Sequence, residues 1–344
     1  MADYSRLERF LHRMALGHAP VAEMLHDLER GLYLKSAPEA RGGAHVFVSG
    51  LARAGTTILM REIHATGAFG SLTYADMPFV LAPNLWARLA REKPAGAWTE
   101  RAHGDGIKVD THSPEALEEV YWRIFCARDY LTPAGLSLHA PSRDAMAGYV
   151  DLVRLILRRT GKTRYLAKNN NAILRLPALA RALPAAVVLV PIRAPLPHAQ
   201  SLLNQHRRFL SADTFTADYM TWLGHHEFGR TQRPFLLGPA SGGDPLTLDY
   251  WLATWISAYA HLGQTVASLP NARLVPHEDL TGHPELWPAL CALLQVHPKS
   301  LAEARSAEAR VAEPHSPALA EKAGALYNHL RWTALQRILA PVAA

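Results

Sequence analysis

A glycine-bearing turn at residues 50–55 constrains this chain more than any other feature. It follows a short apolar run at residues 44–49 and precedes an amphipathic helical pattern at residues 56–66. Glycines let the backbone approach a bound anion, and the N–H groups at a helix N-terminus point toward it. The order strand, turn and helix therefore predicts a phosphate-binding loop in an α/β fold.

Strands and helices alternate along the rest of the chain. The run at residues 185–192 is continuously apolar, as in a strand that is buried on both faces. The alternation predicts an α/β fold of three layers, a P-loop-like parallel sheet with helices on both faces. Further strands are predicted at residues 71–74, 163–167 and 273–275. Helices are predicted at residues 4–35 (two helices), 84–91, 115–130, 143–159, 172–182, 196–210, 213–224, 247–268, 285–295 and 317–340.

We expect one α/β domain over residues 1–344, because α/β folds of this length are often single domains with insertions. Two helices precede the predicted sheet within residues 1–40. A largely helical insertion occupies residues 75–160, and a C-terminal helix lies within residues 310–344. Helical extensions thus flank the predicted sheet at both ends of the chain.

The composition is that of a globular protein, with 49% hydrophobic and 19% charged residues. Cys126 and Cys291 are too few for a disulfide framework or a zinc site, and they predict a reducing compartment. The longest apolar run, residues 183–192, is too short to span a bilayer, and the N-terminus lacks a secretory signal pattern. We therefore expect a cytoplasmic protein without a transmembrane segment.

The charge of the chain bears on its partners. The formal net charge is +6, with the 18 histidines counted as neutral. The basic residues are scattered rather than gathered in a stripe, which favours a polyanionic small molecule over nucleic acid as the ligand. A generically basic surface accounts for the charge equally well.

The loop lacks the residues that a nucleoside triphosphatase needs. In the GxxxxGK[ST] pattern, Thr56 replaces the lysine that contacts the β- and γ-phosphates. The later strand where a magnesium-binding Asp is expected is followed instead by Arg193. Arg53 and the hydroxyls of Thr56 and Thr57 suit an anion that a guanidinium neutralises without a metal. A tight turn that binds nothing is the alternative interpretation.

The loop resembles the 5′-phosphosulfate loop of the sulfotransferase superfamily, which commonly reads Pro-Lys/Arg-Ser-Gly-Thr-Thr. The corresponding residues are Ala52, Arg53, Ala54, Gly55, Thr56 and Thr57. They depart from the superfamily pattern at the proline and serine positions. The resemblance implies that residues 53–57 bind the donor 3′-phosphoadenosine-5′-phosphosulfate (PAPS).

Three further elements match the superfamily in the same order along the chain. An Arg at a strand end and a Ser eight residues later bind the donor's 3′-phosphate, and Arg193 and Ser201 have this spacing. A Lys at the end of the preceding strand contacts the bridging or sulfuryl oxygen, and Lys168 has this place. A late Tyr-Glu-Asp-Leu segment corresponds to His-Glu-Asp-Leu at residues 277–280. The resemblance covers residues 44–295.

The resemblance implies a sulfotransferase that moves a sulfuryl group from PAPS to a hydroxyl or amine acceptor without a metal. Arg53 and Lys168 would stabilise the group in transfer, by analogy with phosphoryl transfer. The acceptor would be a small molecule, a glycan or a lipid, and residues 75–160 and 225–250 are expected to build its side of the site. Two alternatives stay open: a kinase or other phosphotransferase on a degenerate P-loop, and a PAPS-binding relative without activity.

The base that removes the acceptor's proton departs from the superfamily pattern. Many cytosolic members carry a catalytic His two residues after the Lys, but Asn170 stands there, and an amide cannot act as a base. Asp76 lies where a branch resembling tyrosylprotein sulfotransferases places a Glu; an N-cap or turn role before Pro78 is its alternative. His103, between flexible glycines, is the second candidate, although the same stretch reads as a plain turn.

No metal site is predicted. His225 and His226 are adjacent in the sequence, but adjacent residues of a helix point apart and do not hold one ion together.

Overall fold

The structure, a computed structural model, describes residues 5–90, 99–100, 108–238, 242–301 and 311–340, with the backbone alone for residues 99–100 and 108–109. The α-helices are α1 (Arg6–His12), α2 (Ala19–Tyr33), α3 (Thr56–His64), α4 (Pro83–Leu89), α5 (Glu119–Tyr130), α6 (Arg143–Thr160), α7 (Leu176–Ala182), α8 (Pro195–Leu210), α9 (Thr214–Trp222), α10 (Leu248–Ser268), α11 (Asp279–Gly282), α12 (Leu286–Leu293) and α13 (Pro317–Leu339). The strands are β1 (Val46–Val48), β2 (Thr99–Glu100), β3 (Lys108–Val109), β4 (Leu131–Thr132), β5 (Gly135–Ser137), β6 (Leu166–Lys168), β7 (Val187–Ile192), β8 (Phe235–Leu236) and β9 (Ala272–Pro276).

The central sheet runs in the order β6-β1-β7-β9, and each neighbouring pair is parallel. Val46 of β1 aligns with Leu166 of β6 on one side and with Val187 of β7 on the other. On the far side of β7, Val188 aligns with Ala272 of β9. The parallel sheet that the alternation predicted is therefore confirmed.

Alternate side chains of β1 enter two separate cores, one on each face of the sheet. Val46 and Val48 pack with Leu59 of α3 and Leu290 of α12. Phe47, which lies between them, belongs to a larger core that includes residues of α5, α6, α8 and α10. Helices thus cover both faces, and the three-layer arrangement is confirmed.

Helices occupy the regions that extend the sheet. Helices α1 and α2 lie within residues 1–40, and α13 lies within residues 310–344. The described part of residues 75–160 contains α4, α5 and α6 together with the β4–β5 hairpin. Among the described helices, none combines the length and the apolar character needed to cross a bilayer.

The strand predicted at residues 71–74 is absent from the described structure. Isolated bridges stand there instead, and the chain then enters the 3-10 turn Tyr74–Asp76. The Asp76 carboxylate accepts the N–H of Thr73 at 2.8 Å and its hydroxyl at 3.1 Å. This local capping arrangement turns the backbone before a strand can extend.

Helix α9 ends earlier than predicted. Its last residue is Trp222, and Gly224 follows with a left-handed φ of 79°. His225 and His226 consequently lie in the loop after the helix, so the reasoning from adjacent helical positions was wrong for this pair.

The carboxyl ends of β1, β6 and β7 meet at one edge of the sheet because the strands are neighbouring and parallel. The glycine turn follows β1, Lys168 ends β6 and Arg193 follows β7. Ligands of open α/β sheets bind at this edge. The fold therefore brings the separate sequence elements to one place.

Candidate active site

Gly55 fixes the shape of the loop. Its φ is 89°, in the left-handed region that favours glycine, and it is the N-cap residue of α3. A Cβ on residue 55 would lie 2.4 Å from Nδ1 of His277, so a side chain does not fit there. No described side chain caps α3, so the N–H groups of its first turn face the loop as an anion site requires.

The other predicted donor-binding residues of the loop lie in the same turn or directly after it. Ala54 is fully buried, and its N–H donates to the carbonyl of Leu51 at 3.3 Å. Thr56 and Thr57, both buried, are the first two residues of α3. The predicted loop is therefore a compact turn at the N-terminus of a helix.

His198 of α8 supports the loop from inside the protein. It is fully buried, and its Nε2 lies 2.8 Å from the carbonyl oxygen of Ala52. Burial, together with the nearby charges of Arg193 and Arg53, lowers the pKa of His198 to about 3, although the hydrogen bond to Ala52 opposes this shift. The ring is neutral at pH 7, and Nε2 therefore carries the proton that it donates to Ala52.

Arg53, Ser201 and Arg193 form a hydrogen-bonded chain at the loop. Nε of Arg53 donates to the hydroxyl of Ser201 at 3.1 Å, and Nη1 of Arg193 donates to the carbonyl of Arg53 at 3.2 Å. Arg53 has a φ of 69°, a conformation that non-glycine residues adopt rarely and mostly at functional sites. The three residues predicted to bind the two ends of the donor are thus in contact with one another.

Burial lowers the pKa of Arg193; Glu278 opposes this effect and the charge of Arg53 adds to it. Arginine keeps its proton even so, because its ordinary pKa lies above 12. Two guanidinium groups held this close, one of them largely buried, make the site favourable for an anion that carries more than one charge.

Glu278 holds the end of β7 in place. It belongs to residues 277–280, the segment that resembles the superfamily's Tyr-Glu-Asp-Leu. Its carboxylate accepts the N–H of Ala194 and the hydroxyl of Tyr327, both at 2.8 Å. The neighbouring Asp279 accepts two hydrogen bonds from Arg331 at 2.6 Å each. The segment ties the turn that carries Arg193 to helix α13.

Lys168 is buried at the end of β6, where it aligns with Val48 at the end of β1. The three asparagines that follow it each hold a different part of the chain. Asn169 Nδ2 donates to Glu119 Oε2 at 2.7 Å, and Asn171 Nδ2 donates to the carbonyl of Gly224 at 2.8 Å. Asn170 Nδ2 donates to a carboxylate oxygen of Glu227 at 2.9 Å.

Two consecutive buried carboxylates lie behind this segment, and their pKa values shift in opposite directions. Glu119 pairs with Arg175 through contacts of 2.7 and 3.1 Å; burial alone would raise its pKa, but Arg175 outweighs burial and lowers it. Glu118 accepts the hydroxyls of Tyr149 and Tyr165, and burial raises its pKa. The network fixes the end of β6 because Asn169 donates to both carboxylates, and each carboxylate has further partners in the core.

Glu227 was missed by the sequence reasoning, although it lies at the site. It is buried after α9 and lines a narrow cavity together with Leu51 and Ala52 of the loop. Its second carboxylate oxygen lies 3.6 Å from Nδ1 of His225. The sequence feature that could have pointed to Glu227 is its place within residues 225–250, which were expected to build the acceptor side of the site.

Asp76 and His103, the two predicted bases, are not brought to the loop by any described contact. Asp76 is 1% exposed, and Nε of Arg159 lies 2.6 Å from its Oδ1. Burial raises the pKa of Asp76, against the opposing charge of Arg159. These contacts match the turn role that was its alternative interpretation. His103 lies outside the described residues.

Metal ligands do not gather at the site. Within the described residues, no group of three or more His, Cys, Asp or Glu side chains is arranged to hold a metal ion.

The fold is similar to that of solved bacterial sulfotransferases. STF1 from Mycobacterium tuberculosis H37Rv aligns over 94% of this chain and 87% of its own, with 15% identity and a TM-score of 0.54. STF9 from Mycobacterium avium aligns over 99% of this chain and 86% of its own, with 13% identity and a TM-score of 0.46. No protein-family model and no curated protein sequence matches the chain. The similarity to STF1 shows a shared fold.

Proposed function

We propose that this protein is a sulfotransferase that moves a sulfuryl group from PAPS to a hydroxyl or amine acceptor. The proposal rests on one observation: Arg193, Arg53 and Ser201 are joined by hydrogen bonds beside the N-terminus of α3. These residues come from three different elements, and the superfamily pattern names each of them as a donor ligand. The fold shared with STF1 supports the proposal independently of that pattern.

The residues present suit the two anionic ends of PAPS. Arg193 and Ser201 offer a guanidinium fork and a hydroxyl to the 3′-phosphate. The loop offers Arg53 and the N–H groups of the first turn of α3 to the 5′-phosphosulfate. Gly55 has no side chain, and the ring of His277 occupies the volume that a Cβ would take.

In the proposed reaction the acceptor atom bonds to sulfur while the bond between sulfur and the 5′-phosphate oxygen breaks. The electron pair of that bond stays on the phosphate oxygen, where negative charge increases. Arg53, Lys168 and the N–H groups of α3 supply fixed positive charge to stabilise it. A small molecule, a glycan or a lipid would bring the acceptor group.

Calorimetry with adenosine 3′,5′-bisphosphate and with ATP, each with and without Mg²⁺, tests the donor site. ATP lacks a 3′-phosphate and would make none of that group's contacts with Arg193 and Ser201, at a cost of ~1–3 kcal/mol, or about tenfold or more in affinity. We expect the bisphosphate to bind more tightly by that factor without Mg²⁺. Equal affinities, or a need for Mg²⁺, would contradict a PAPS site.

Transfer of ³⁵S from labelled PAPS to a metabolite panel then separates an enzyme from a donor-binding protein without activity. We expect labelled product from at least one acceptor. Tight binding of the bisphosphate with no turnover would instead support the inactive relative.

A further inference from the structure

A carboxylate contacts the residue that stands where the sulfotransferase pattern expects a histidine base. Asn170 occupies the histidine position, and its Nδ2 donates to Glu227 Oε1 at 2.9 Å. Glu227 also lines a cavity with Leu51 and Ala52 of the loop. The Glu227 carboxylate therefore stands between the phosphate-binding loop and the position from which the superfamily supplies its base.

The backbone that carries Glu227 is anchored to the end of β6. Asn171 Nδ2 donates to the carbonyl of Gly224 at 2.8 Å. Gly224 adopts a left-handed φ of 79°, and a Cβ on it would lie 2.5 Å from Cγ of Glu119. Residues 224–227 thus pack directly on the segment that follows Lys168, so the position of Glu227 is fixed relative to Lys168.

Asn170 has one further property that points to a ligand. It is 6% exposed, and its Oδ1 is buried with no hydrogen-bond donor among the described residues. Buried acceptors in proteins nearly always have a donor. A hydroxyl that enters beside Glu227 can fill this role while it also approaches the carboxylate.

The surroundings of Glu227 keep it in the form that accepts a proton. Burial alone would raise its pKa, but His225 and the Asn170 amide outweigh burial and hold the pKa below the ordinary value. The carboxylate is therefore ionised at neutral pH. The cavity walls combine the apolar side chains of Leu202, Phe235 and Trp251 with polar ones from Gln232, Arg233 and Thr254.

We propose that Glu227 is the general base of the sulfuryl transfer and that Asn170 and His225 orient its carboxylate. This inference rests on the proposed function. The acceptor O–H gives its proton to a Glu227 oxygen as the new O–S bond forms and the old S–O bond breaks toward the 5′-phosphate. Glu227 then releases the proton to solvent, so that the products are a sulfate ester, adenosine 3′,5′-bisphosphate and one proton.

The size of the cavity limits what enters it. Its volume is about 20 Å³, which holds one water-sized group. The reacting hydroxyl of the acceptor fits this space, whereas the body of the acceptor must lie outside it. Glu227 thus contacts the reacting group and little else of the acceptor.

The test is Glu227→Gln, which keeps the size of the side chain and an oxygen that accepts from Asn170. Turnover is measured as ³⁵S transfer from labelled PAPS to water and to a panel of phenols and aliphatic alcohols. We expect a fall of about 10²–10⁴-fold, the usual contribution of a positioned base. Affinity for adenosine 3′,5′-bisphosphate and the melting temperature should stay at wild-type values.

Asp151→Asn is the matched control. Asp151 lies on α6, and its carboxylate pairs with Arg30 of α2 at 2.8 Å, so the same carboxylate-to-amide change falls outside the site. Its turnover should equal that of the wild type. Wild-type turnover in Glu227→Gln would overturn the assignment, as would a wild-type protein that binds the bisphosphate and transfers sulfur to nothing. Failure to bind the bisphosphate at all would instead refute the proposed function.

Asn170→Ala tests the positioning role. Without the Asn170 amide the Glu227 carboxylate loses one of its orienting contacts, so turnover at saturating PAPS should fall in Asn170→Ala but should not fall further when Asn170→Ala is added to Glu227→Gln. The other ionisable groups at Glu227, which are His225, His226 and Arg233, stay in place. A purely structural defect would lower turnover by the same factor with Glu227 and with Gln at that position, and that result would remove Asn170 from the role.

Discussion

Gly55 and His277 face each other across the turn at residues 50–55 so closely that residue 55 has no room for a side chain. The backbone of Gly55 is left-handed, and the ring of His277 occupies the volume that a Cβ would take. His277 in turn donates its N–H to the carbonyl of Ile192 at 2.8 Å, at the end of β7. The packing of these two residues therefore couples the loop to the strand that carries Arg193.

Gly55→Ala should abolish tight donor binding. The change imposes about 1–2 kcal/mol of left-handed strain and forces either the His277 ring or the loop to move. Gly67→Ala is the control, because Gly67 has a φ of 79° but no atom within 4 Å of the added Cβ. Both variants should lose stability in thermal unfolding, but only Gly55→Ala should lose at least tenfold in bisphosphate affinity by calorimetry. Equal affinities in the two variants would show that the His277 contact does not shape the site.

Local patterns predicted the elements that position the proposed donor site. The turn at residues 50–55 follows β1 and precedes α3, and the apolar run at residues 185–192 forms β7. Such signals depend on spacing within one segment, so a single sequence carries them. The spacing of Arg193 and Ser201 became informative through the superfamily resemblance rather than through any local rule.

The contacts of the candidate base could not be predicted in the same way. Asn170 and Glu227 are 57 positions apart, and they meet only because the chain turns at Gly224 and packs against the end of β6. Asp76 has one contact that the local sequence could predict and one that it could not. Its turn with Thr73 is local, whereas its partner Arg159 comes from α6 and is not visible in any spacing.

Arg193→Ala should act on donor binding, whereas Arg53→Ala and Lys168→Ala should act on turnover. Arg193 is assigned to the remote 3′-phosphate, so its loss should weaken bisphosphate binding by about tenfold or more while turnover at saturating PAPS largely persists. Arg53 and Lys168 are assigned to the transferred group, so turnover should fall more than affinity. Calorimetry and ³⁵S transfer at saturating PAPS measure the two effects separately.

Arg193→Lys is the control for charge, because it keeps the cation but loses the guanidinium fork. Its affinity should lie between those of the wild type and Arg193→Ala. Unchanged turnover in Lys168→Ala would remove Lys168 from the site.

Asp76→Asn should lower stability rather than turnover. The change weakens the contact with Arg159 and removes a charged acceptor from Thr73, which should cost about 1–3 kcal/mol in the free energy of unfolding. Urea denaturation measures this loss, and turnover per folded molecule should match the wild type. A fall of about 10²–10⁴-fold in turnover with intact stability would make Asp76 the base and refute the role of Glu227. His103→Gln tests the remaining candidate by the same two measurements.

His198→Gln should flatten the dependence of stability on pH. His198 has a pKa of about 3 in the folded protein, against an unfolded value near 6.5, so only the unfolded chain binds its proton between these values. Stability is therefore lost as pH falls from about 6.5 toward 3, at up to ~1.4 kcal/mol per pH unit from this one group. Gln does not titrate, and its amide can still donate to the Ala52 carbonyl beneath the loop.

The free energy of unfolding, measured by urea denaturation at pH 7 and pH 5, should fall by about 2 kcal/mol less in the variant than in the wild type. Other buried histidines contribute equally to both proteins and cancel in this difference. Parallel pH profiles would mean that His198 has the same pKa in the folded protein as in the unfolded chain, and burial would then not be what keeps the ring beneath the loop neutral.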